Sequence, residues 1–168
     1  MNTGTHDDHI FYRNLLKTYP VVDRGEGVYL WDKAGKRYLD GSGGAAVVSI
    51  GHGVPEIREQ MLAQADRLAF SHGSHFTSEA ALECAARICR LISDECMYRV
   101  YFLSGGSEAV ETAVELVRQY WREVGKPDKN KVISRWTSFH GNTTGALALG
   151  GHTGRRRHYQ PLFLHTPH

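Results

Sequence analysis

Apolar residues recur at the spacing of an amphipathic helix in three long segments of the chain. They predict helices from about Pro55 to Leu68, from about Ser78 to Leu91 and from Ser107 to Val124. Two shorter helices are predicted from Ile10 to Tyr19 and between Thr143 and Gly150. The apolar stripe of the helix after Ser107 consists of Val110, Ala113, Val114, Val117, Trp121 and Val124.

Strand-like runs lie between these helices. Residues 27–31 and 36–39 flank the turn at residues 32–35 and predict a hairpin. Residues 100–103 and 131–136 have the character of buried strands, and each run precedes a helix. The second half of the chain therefore predicts an α/β layer with a parallel sheet.

A glycine turn joins the predicted strand at residues 100–103 to the helix that follows. Gly105 and Gly106 precede Ser107, which stands where a helix N-cap is expected, and Glu108 comes next. Glycines let the backbone approach a ligand closely, the first N–H groups of a helix lack partners, and the helix dipole favours negative charge. We therefore expect a phosphate group over Gly105, Gly106 and Ser107.

The tripeptide Phe139-His140-Gly141 follows the second predicted strand. In α/β proteins, ligands bind outside the carboxyl ends of the strands, and an aromatic side chain can stack on a planar ring. The residues expected to hold a phosphate, Gly105, Gly106 and Ser107, form a phosphate cradle at one strand end, and Phe139 provides an aromatic ring at another. Together they suit a planar, phosphorylated cofactor. Pyridoxal 5′-phosphate is the candidate.

The glycine turn permits two other interpretations. Residues 105–109 are similar to the G-x-S-x-G nucleophile elbow, with Ala109 in the last position, and Ser107 would then be the nucleophile of a serine hydrolase. The histidines after Ser107 lack a convincing downstream acid, so donating a hydroxyl proton to a phosphate is the simpler role. A helix cap beside a tight turn, with no ligand, is the other interpretation.

Two further motifs are only weak indications of a dinucleotide site and a metal site. Residues 41–46 match G-x-G-x-x-A, but a dinucleotide site needs a buried strand before it, and here that strand carries Lys36 and Arg37. His72 and His75 lie in a Ser/Gly loop, where no helix fixes their orientation. We expect ordinary loop histidines and no metal site.

Composition and charge argue against several classes of function. The 168 residues are 41% apolar and 23% charged, as in soluble globular proteins. A net charge of +2 argues against nucleic acid and against an anionic membrane surface as partners. Residues 1–8 lack the apolar core of a signal peptide, and Cys84, Cys89 and Cys96 are odd in number with no C-x-x-C pair. We expect a cytoplasmic protein without a membrane-spanning segment.

The order and spacing of several motifs resemble the N-terminal part of the class III pyridoxal-phosphate aminotransferases, the group of ω-amino-acid transaminases with fold type I. The resemblance runs from about Gly27 to the end of the chain. The matching motifs are Tyr29-Leu30-Trp31-Asp32 with Gly35, Tyr38-Leu39-Asp40-Gly41, Gly51-His52-Gly53, Phe102-Leu103-Ser104-Gly105-Gly106-Ser107-Glu108-Ala109, Ser138-Phe139-His140-Gly141-Asn142-Thr143, and Arg157 with Tyr159 and Pro161-Leu162.

This resemblance implies roles for nine residues. Those expected to bind the cofactor are Gly105, Gly106 and Ser107 at the phosphate, Phe139 on the pyridine ring, and His140 and Gly141 in the supporting turn. Those expected to line the substrate entrance are Trp31, Ala45 and Phe76, with Phe76 in a loop that reaches the neighbouring subunit of a homodimer. The family more often has Tyr where Phe139 stands, so a polar role is not expected there.

The resemblance also implies what the chain lacks. The family's Schiff-base lysine and the aspartate that pairs with the pyridinium nitrogen match no motif in this sequence, so we expect no catalytic residue here. The expected fold is a truncated type I fold, with residues 1–50 as an N-terminal arm and part of the small domain and residues 51–168 as an incomplete large cofactor-binding domain. The expected activity of the parent enzyme is transfer of an amino group from an amine or ω-amino acid to a 2-oxo acid. The alternative is a non-catalytic fragment for cofactor binding or dimerisation.

Overall fold

The computed structural model describes residues 9–92 and 98–163. The chain divides into two compact units, Met1–Ser78 and Glu79–His168, and each is described by itself. Cys96 lies outside the described residues. The domain boundary expected after residue 50 remains a prediction.

A three-stranded antiparallel sheet forms the centre of the first unit. Its strands are β1 (Val22–Glu26), β2 (Tyr29–Asp32) and β3 (Arg37–Leu39), in that order across the sheet. The predicted hairpin is confirmed as β2 and β3, with Leu30 opposite Tyr38. Strand β1 was not predicted from the sequence, because its residues are mostly charged or glycine and lack the apolar alternation that marks a strand.

Asp32 explains why the hairpin turns where it does. Its Oδ1 accepts hydrogen bonds from the N–H groups of Ala34 and Lys36, both at 2.9 Å, and its Oδ2 accepts one from the Tyr38 hydroxyl at 2.7 Å. The Tyr38 hydroxyl, followed by these two amides, holds the pKa of Asp32 below its ordinary value. One carboxylate therefore ties both strands to the turn between them.

The Gly51-His52-Gly53 motif packs against the same sheet. His52 and Gly27 exchange backbone hydrogen bonds of 2.8 and 3.0 Å. A Cβ at Gly25 would lie 2.7 Å from the His52 ring, so only glycine fits at that position of β1. The ring is held by Asp40, whose Oδ2 lies 2.9 Å from His52 Nε2.

Helices complete the first unit. Helix α2 (Pro55–Arg67) confirms the predicted helix, with Pro55 in its first turn. The short α1 (Gly43–Ala46) contains left-handed backbone, with φ of 62° at Ala45 and 65° at Ala46. The predicted helix at residues 10–19 is wrong: this segment contains only a bend and a turn, and Leu16 is 98% exposed. A helix this short forms only when its apolar face packs on a neighbour.

The second unit consists of helices. They are α3 (Glu79–Ile92), α4 (Gly106–Glu123), α5 (Thr144–Leu149) and α6 (Thr153–Arg156), with a 3-10 turn at Gln160–Leu162. These confirm the helices predicted near residues 78–91, 107–124 and 144–149. The apolar residues of α5 form the centre of the unit, since all of Ala146–Leu149 are buried.

The strands predicted at residues 100–103 and 131–136 are wrong for the described part of the chain, where neither segment has strand hydrogen bonding. A strand exists only beside a partner, and each of these runs lacks one here. Ile133 is 99% exposed and Tyr101 is 76% exposed, as expected for strand-forming residues with nothing packed on them. Residues 131–136 instead lie along α5, where the Ser134 hydroxyl donates to the Leu149 carbonyl at 2.6 Å.

Among the described residues, no helix has the length and apolar character needed to cross a bilayer.

Candidate cofactor site

Helix α4 begins within the glycine turn expected to hold a phosphate. Gly105 is its N-cap and Gly106 its first residue, so the expectation that Ser107 caps the helix is wrong. The Ser107 side chain cannot cap because it lies inside the first turn and bonds elsewhere. The N–H groups of Gly106, Ser107 and Glu108 point along the helix axis with no acceptor in the preceding turn, and the helix dipole adds positive potential there.

The Ser107 side chain joins this helix terminus to the Phe139-His140-Gly141 turn. Its Oγ accepts a hydrogen bond of 2.9 Å from the backbone N–H of Asn142. Gly141 has a φ of +143°, and a Cβ there would lie 2.7 Å from Ser107 Oγ and 2.9 Å from Ser107 Cα. Glycine is therefore required for the two turns to approach this closely. Because the Ser107 hydroxyl accepts from Asn142, its own proton remains free to donate to a ligand.

An arginine lies over the aromatic residue of the second turn. Phe139 is 59% exposed, and the Arg155 guanidinium lies 4.9 Å from its ring centroid. The same guanidinium donates to Asn142 Oδ1 at 3.3 Å. A cation over an aromatic face is favourable, so Arg155 helps to fix the orientation of Phe139.

His140 is half-buried between these residues. Within the described part of the chain, its Nε2 is buried and has no hydrogen-bond partner. A buried polar atom without a partner is costly, so this nitrogen is suited to contact a polar group of a ligand.

Glu111 belongs to the site although it was not predicted from the sequence. Its Oε1 accepts hydrogen bonds from the N–H groups of Gly145 at 2.9 Å and Ala146 at 3.2 Å. The Thr143 side chain first, and then these amides, hold the pKa of Glu111 below its ordinary value, although partial burial opposes the shift. The only signal in the sequence was its position four residues after Ser107, which puts both side chains on one face of α4.

A second carboxylate lies at the phosphate cradle itself. The Glu108 side chain folds back toward the N-cap, and its Oε2 lies 2.7 Å from the position that a Cβ on Gly105 would take. Acidic residues are favoured in the first turn of a helix because they interact with the exposed N–H groups. Glu108 therefore puts negative charge where a phosphate is expected.

The expected substrate-lining residues all belong to the first unit. Trp31 lies on β2 with the Arg24 guanidinium 3.7 Å above its ring. Ala45 lies in the left-handed stretch of α1, and Phe76 is 70% exposed. These three residues therefore belong to the first unit, whereas the six expected cofactor-binding residues all belong to the second unit.

Comparison with known proteins decides the family. The sequence model described as "Aminotransferase class-III" matches residues 11–168. The chain belongs to the class III aminotransferases. Among the relatives of this class III aminotransferase chain is the aminotransferase YodT of Bacillus subtilis, 41% identical over 153 residues that make up 91% of this chain and 34% of that protein. Another is the putrescine–pyruvate aminotransferase of Pseudomonas aeruginosa, 34% identical over 78% of this chain and 29% of that protein.

Solved structures agree with this assignment. The PLP-bound amine transaminase from an uncultivated Pseudomonas species is 32% identical and superposes with a TM-score of 0.83, covering 96% of this chain and 36% of that one. The class III aminotransferase chain therefore has part of the type I fold of the pyridoxal-phosphate-dependent transaminases. It spans about a third of the length of the curated relatives it matches.

Proposed function

We propose that the second unit of this class III aminotransferase chain binds pyridoxal 5′-phosphate, with the phosphate over Gly105, Gly106 and Ser107 and the ring against Phe139. One observation carries the proposal: the hydrogen bond from Asn142 N–H to Ser107 Oγ puts the helix terminus and the aromatic turn side by side. A phosphate and a ring that belong to one small molecule need such neighbouring contacts.

The helix terminus and the aromatic turn fit the charge and shape of the cofactor, whereas the Glu108 carboxylate opposes a phosphate. A phosphate dianion suits the exposed N–H groups and the dipole of an 18-residue helix. The Ser107 hydroxyl adds a donor, and charge-assisted hydrogen bonds of this kind are the stronger ones. Phe139 offers a largely exposed ring for stacking, and His140 Nε2 is available to a polar group of the ligand.

The proposed activity of the whole enzyme is transfer of an amino group from an amine or ω-amino acid to a 2-oxo acid. Pyridoxal phosphate, when bound, supplies the electron sink for this chemistry. In this proposal Ser107 and the α4 amides hold the phosphate, Phe139 fixes the ring plane, and His140 and Gly141 maintain the turn. Trp31, Ala45 and Phe76 line the substrate entrance of a homodimer.

A second candidate function is cofactor binding or dimerisation without catalysis by these 168 residues. It is favoured by the sequence, in which the lysines match none of the motifs expected for the Schiff-base residue. A serine hydrolase is disfavoured, because the hydrogen-bond partner of Ser107 Oγ is a backbone amide, whereas a serine nucleophile needs a general base.

Titration of the purified chain with pyridoxal phosphate tests the proposal. We expect saturable binding, followed by protein fluorescence and by the cofactor absorbance, and competition by inorganic phosphate. Ser107→Ala should weaken binding about tenfold or more, since a hydrogen bond to a charged group contributes about 1.5–3 kcal/mol. A folded chain that takes up no cofactor, or a Ser107→Ala variant that binds as well as the original chain, would overturn the assignment.

Borohydride treatment and a serine probe separate the alternatives. If reduction attaches the cofactor to one specific lysine, the result supports catalysis by this chain and counts against the non-catalytic alternative. If binding occurs with no such attachment, these residues bind the cofactor without catalysis. Labelling of Ser107 by a fluorophosphonate would instead support the hydrolase.

A further inference from the structure

Ser107 and Glu111 lie one helical turn apart on the same face of α4. They contact two ends of one short segment: Ser107 accepts from Asn142 N–H, and Glu111 accepts from the N–H groups of Gly145 and Ala146. The segment from Asn142 to Ala146 is therefore attached to α4 at two points. Phe139 lies three residues before the first of these points.

Of the two attachments, the one at Glu111 has more hydrogen bonds. Its carboxylate is half-buried, and two backbone amides donate to it, those of Gly145 and Ala146. Gly145 lies so close that a Cβ there would strike the carboxylate, so the segment cannot shift toward α4. The end of the segment continues into Ala146–Leu149, which are buried, and this packing restricts its movement.

The phosphate cradle does not depend on this attachment. Its amides belong to the first turn of α4, and their directions follow from the helix itself. The direction of the Phe139 ring depends on the segment that Glu111 anchors, because residues 139–142 lead directly into it. The two halves of the cofactor site therefore have different structural supports.

We propose that Glu111 is a positioning residue, which sets the Phe139 ring relative to the phosphate cradle by holding residues 143–146 on α4. This inference rests on the proposed function, since it assigns a role at the same site. Its consequence is specific: loss of the Glu111 carboxylate weakens recognition of the cofactor ring and leaves recognition of a simple phosphate ion intact.

The test compares two probes, inorganic phosphate and pyridoxal phosphate, on the full 168-residue chain. For Glu111→Ala we expect the Kd for pyridoxal phosphate to rise at least tenfold, a change of about 1.4 kcal/mol, while the Kd for phosphate stays within about twofold. For Ser107→Ala we expect both to rise. The induced circular dichroism of saturated cofactor, which reports its asymmetric surroundings, should change for Glu111→Ala.

Three further variants keep the test decisive. Glu115→Ala removes an exposed carboxylate one turn further along α4 and should change neither Kd nor the circular dichroism. Glu111→Gln keeps an oxygen acceptor of the same length, so it should fold and retain most of the affinity for pyridoxal phosphate. If Glu111→Ala does not fold, Glu111→Asp provides the comparison, because its shorter side chain cannot reach both amides. The Kd for pyridoxal phosphate should then rise without a matching rise for phosphate.

The outcomes distinguish the two proposals. An original chain that is folded but binds neither probe overturns the proposed function itself. An original chain that binds both, together with a Glu111→Ala variant that weakens both equally or neither, overturns the positioning role alone. Equal weakening would show that Glu111 supports the fold of the unit in general.

Discussion

The backbone N–H of Asn142 donates to the Ser107 hydroxyl oxygen at 2.9 Å, across 35 positions of sequence. This bond joins the first turn of α4 to the loop that carries Phe139 and His140. Between them Gly141 lies against Ser107 with a positive φ, which makes the approach possible. This contact therefore brings the two ends of the proposed cofactor site together.

Gly141→Ala should separate the two turns. A Cβ at Gly141 would overlap Ser107 and Ala146, and a φ of +143° is unfavourable for alanine. We expect the free energy of unfolding to fall by about 1–3 kcal/mol and the affinity for pyridoxal phosphate to fall with it. Thermal unfolding and cofactor titration measure the two effects. Gly154→Ala is the matched control, since its Cβ would meet open space; an equal loss in both variants would contradict the argument.

Glu108→Gln should increase the affinity for phosphate. The Glu108 carboxylate folds back over the cradle and opposes a phosphate by charge repulsion. Because a charge at a helix terminus contributes about 0.3–1 kcal/mol, the Kd for phosphate should fall by about two- to fivefold at low salt. The difference should shrink at high ionic strength. Isothermal titration at two salt concentrations measures it, with Glu115→Gln as the control; unchanged affinity at low salt would refute the competition.

Arg156→Ala should destabilise the second unit. The Arg156 guanidinium donates to the carbonyls of Ala148 and Gly150 at the end of α5. It also lies 5.6 Å from the ring centroid of Trp136. Because truncation leaves these carbonyls without their charged donor, we expect a loss of about 1.5–3 kcal/mol in denaturant unfolding. Arg157→Ala, at an exposed position, should lower the free energy of unfolding far less. Comparable losses in the two variants would show that removal of any positive charge, and not loss of these hydrogen bonds, causes the effect.

Acid should weaken the first unit through Asp40. The hydrogen bond from His52, and then that from Ser42, hold the pKa of Asp40 below its ordinary value of 3.8. A carboxyl group with a lowered pKa contributes its full stability above the ordinary value and loses it as the pH falls through the folded-state value. Asp40→Asn should therefore lower stability at neutral pH and flatten the decline in acid.

Far-UV circular dichroism between pH 2 and 6 follows this decline. Asp66→Asn, at an exposed position on α2, should leave the pH profile of the original chain unchanged. An Asp40→Asn variant with the same acid decline as the original chain would show that other groups are responsible. Asp32, whose pKa is also lowered, would then be the next candidate.

The sequence by itself determined the longer helices. Apolar spacing and a proline in the first turn located α2, and the glycine turn at Gly105 located the start of α4 to within two residues. These features are local, because a helix makes its hydrogen bonds within its own segment.

Only the tertiary structure decided which segments have partners. Residues 100–103 and 131–136 have strand composition but no strand hydrogen bonds in the described chain, because a sheet needs a neighbour that local sequence does not specify. Strand β1 formed for the opposite reason, since β2 supplies its partner in spite of its polar sequence. Glu111 likewise gained its role from amides more than 30 positions away, and no spacing rule within one helix reveals such a contact.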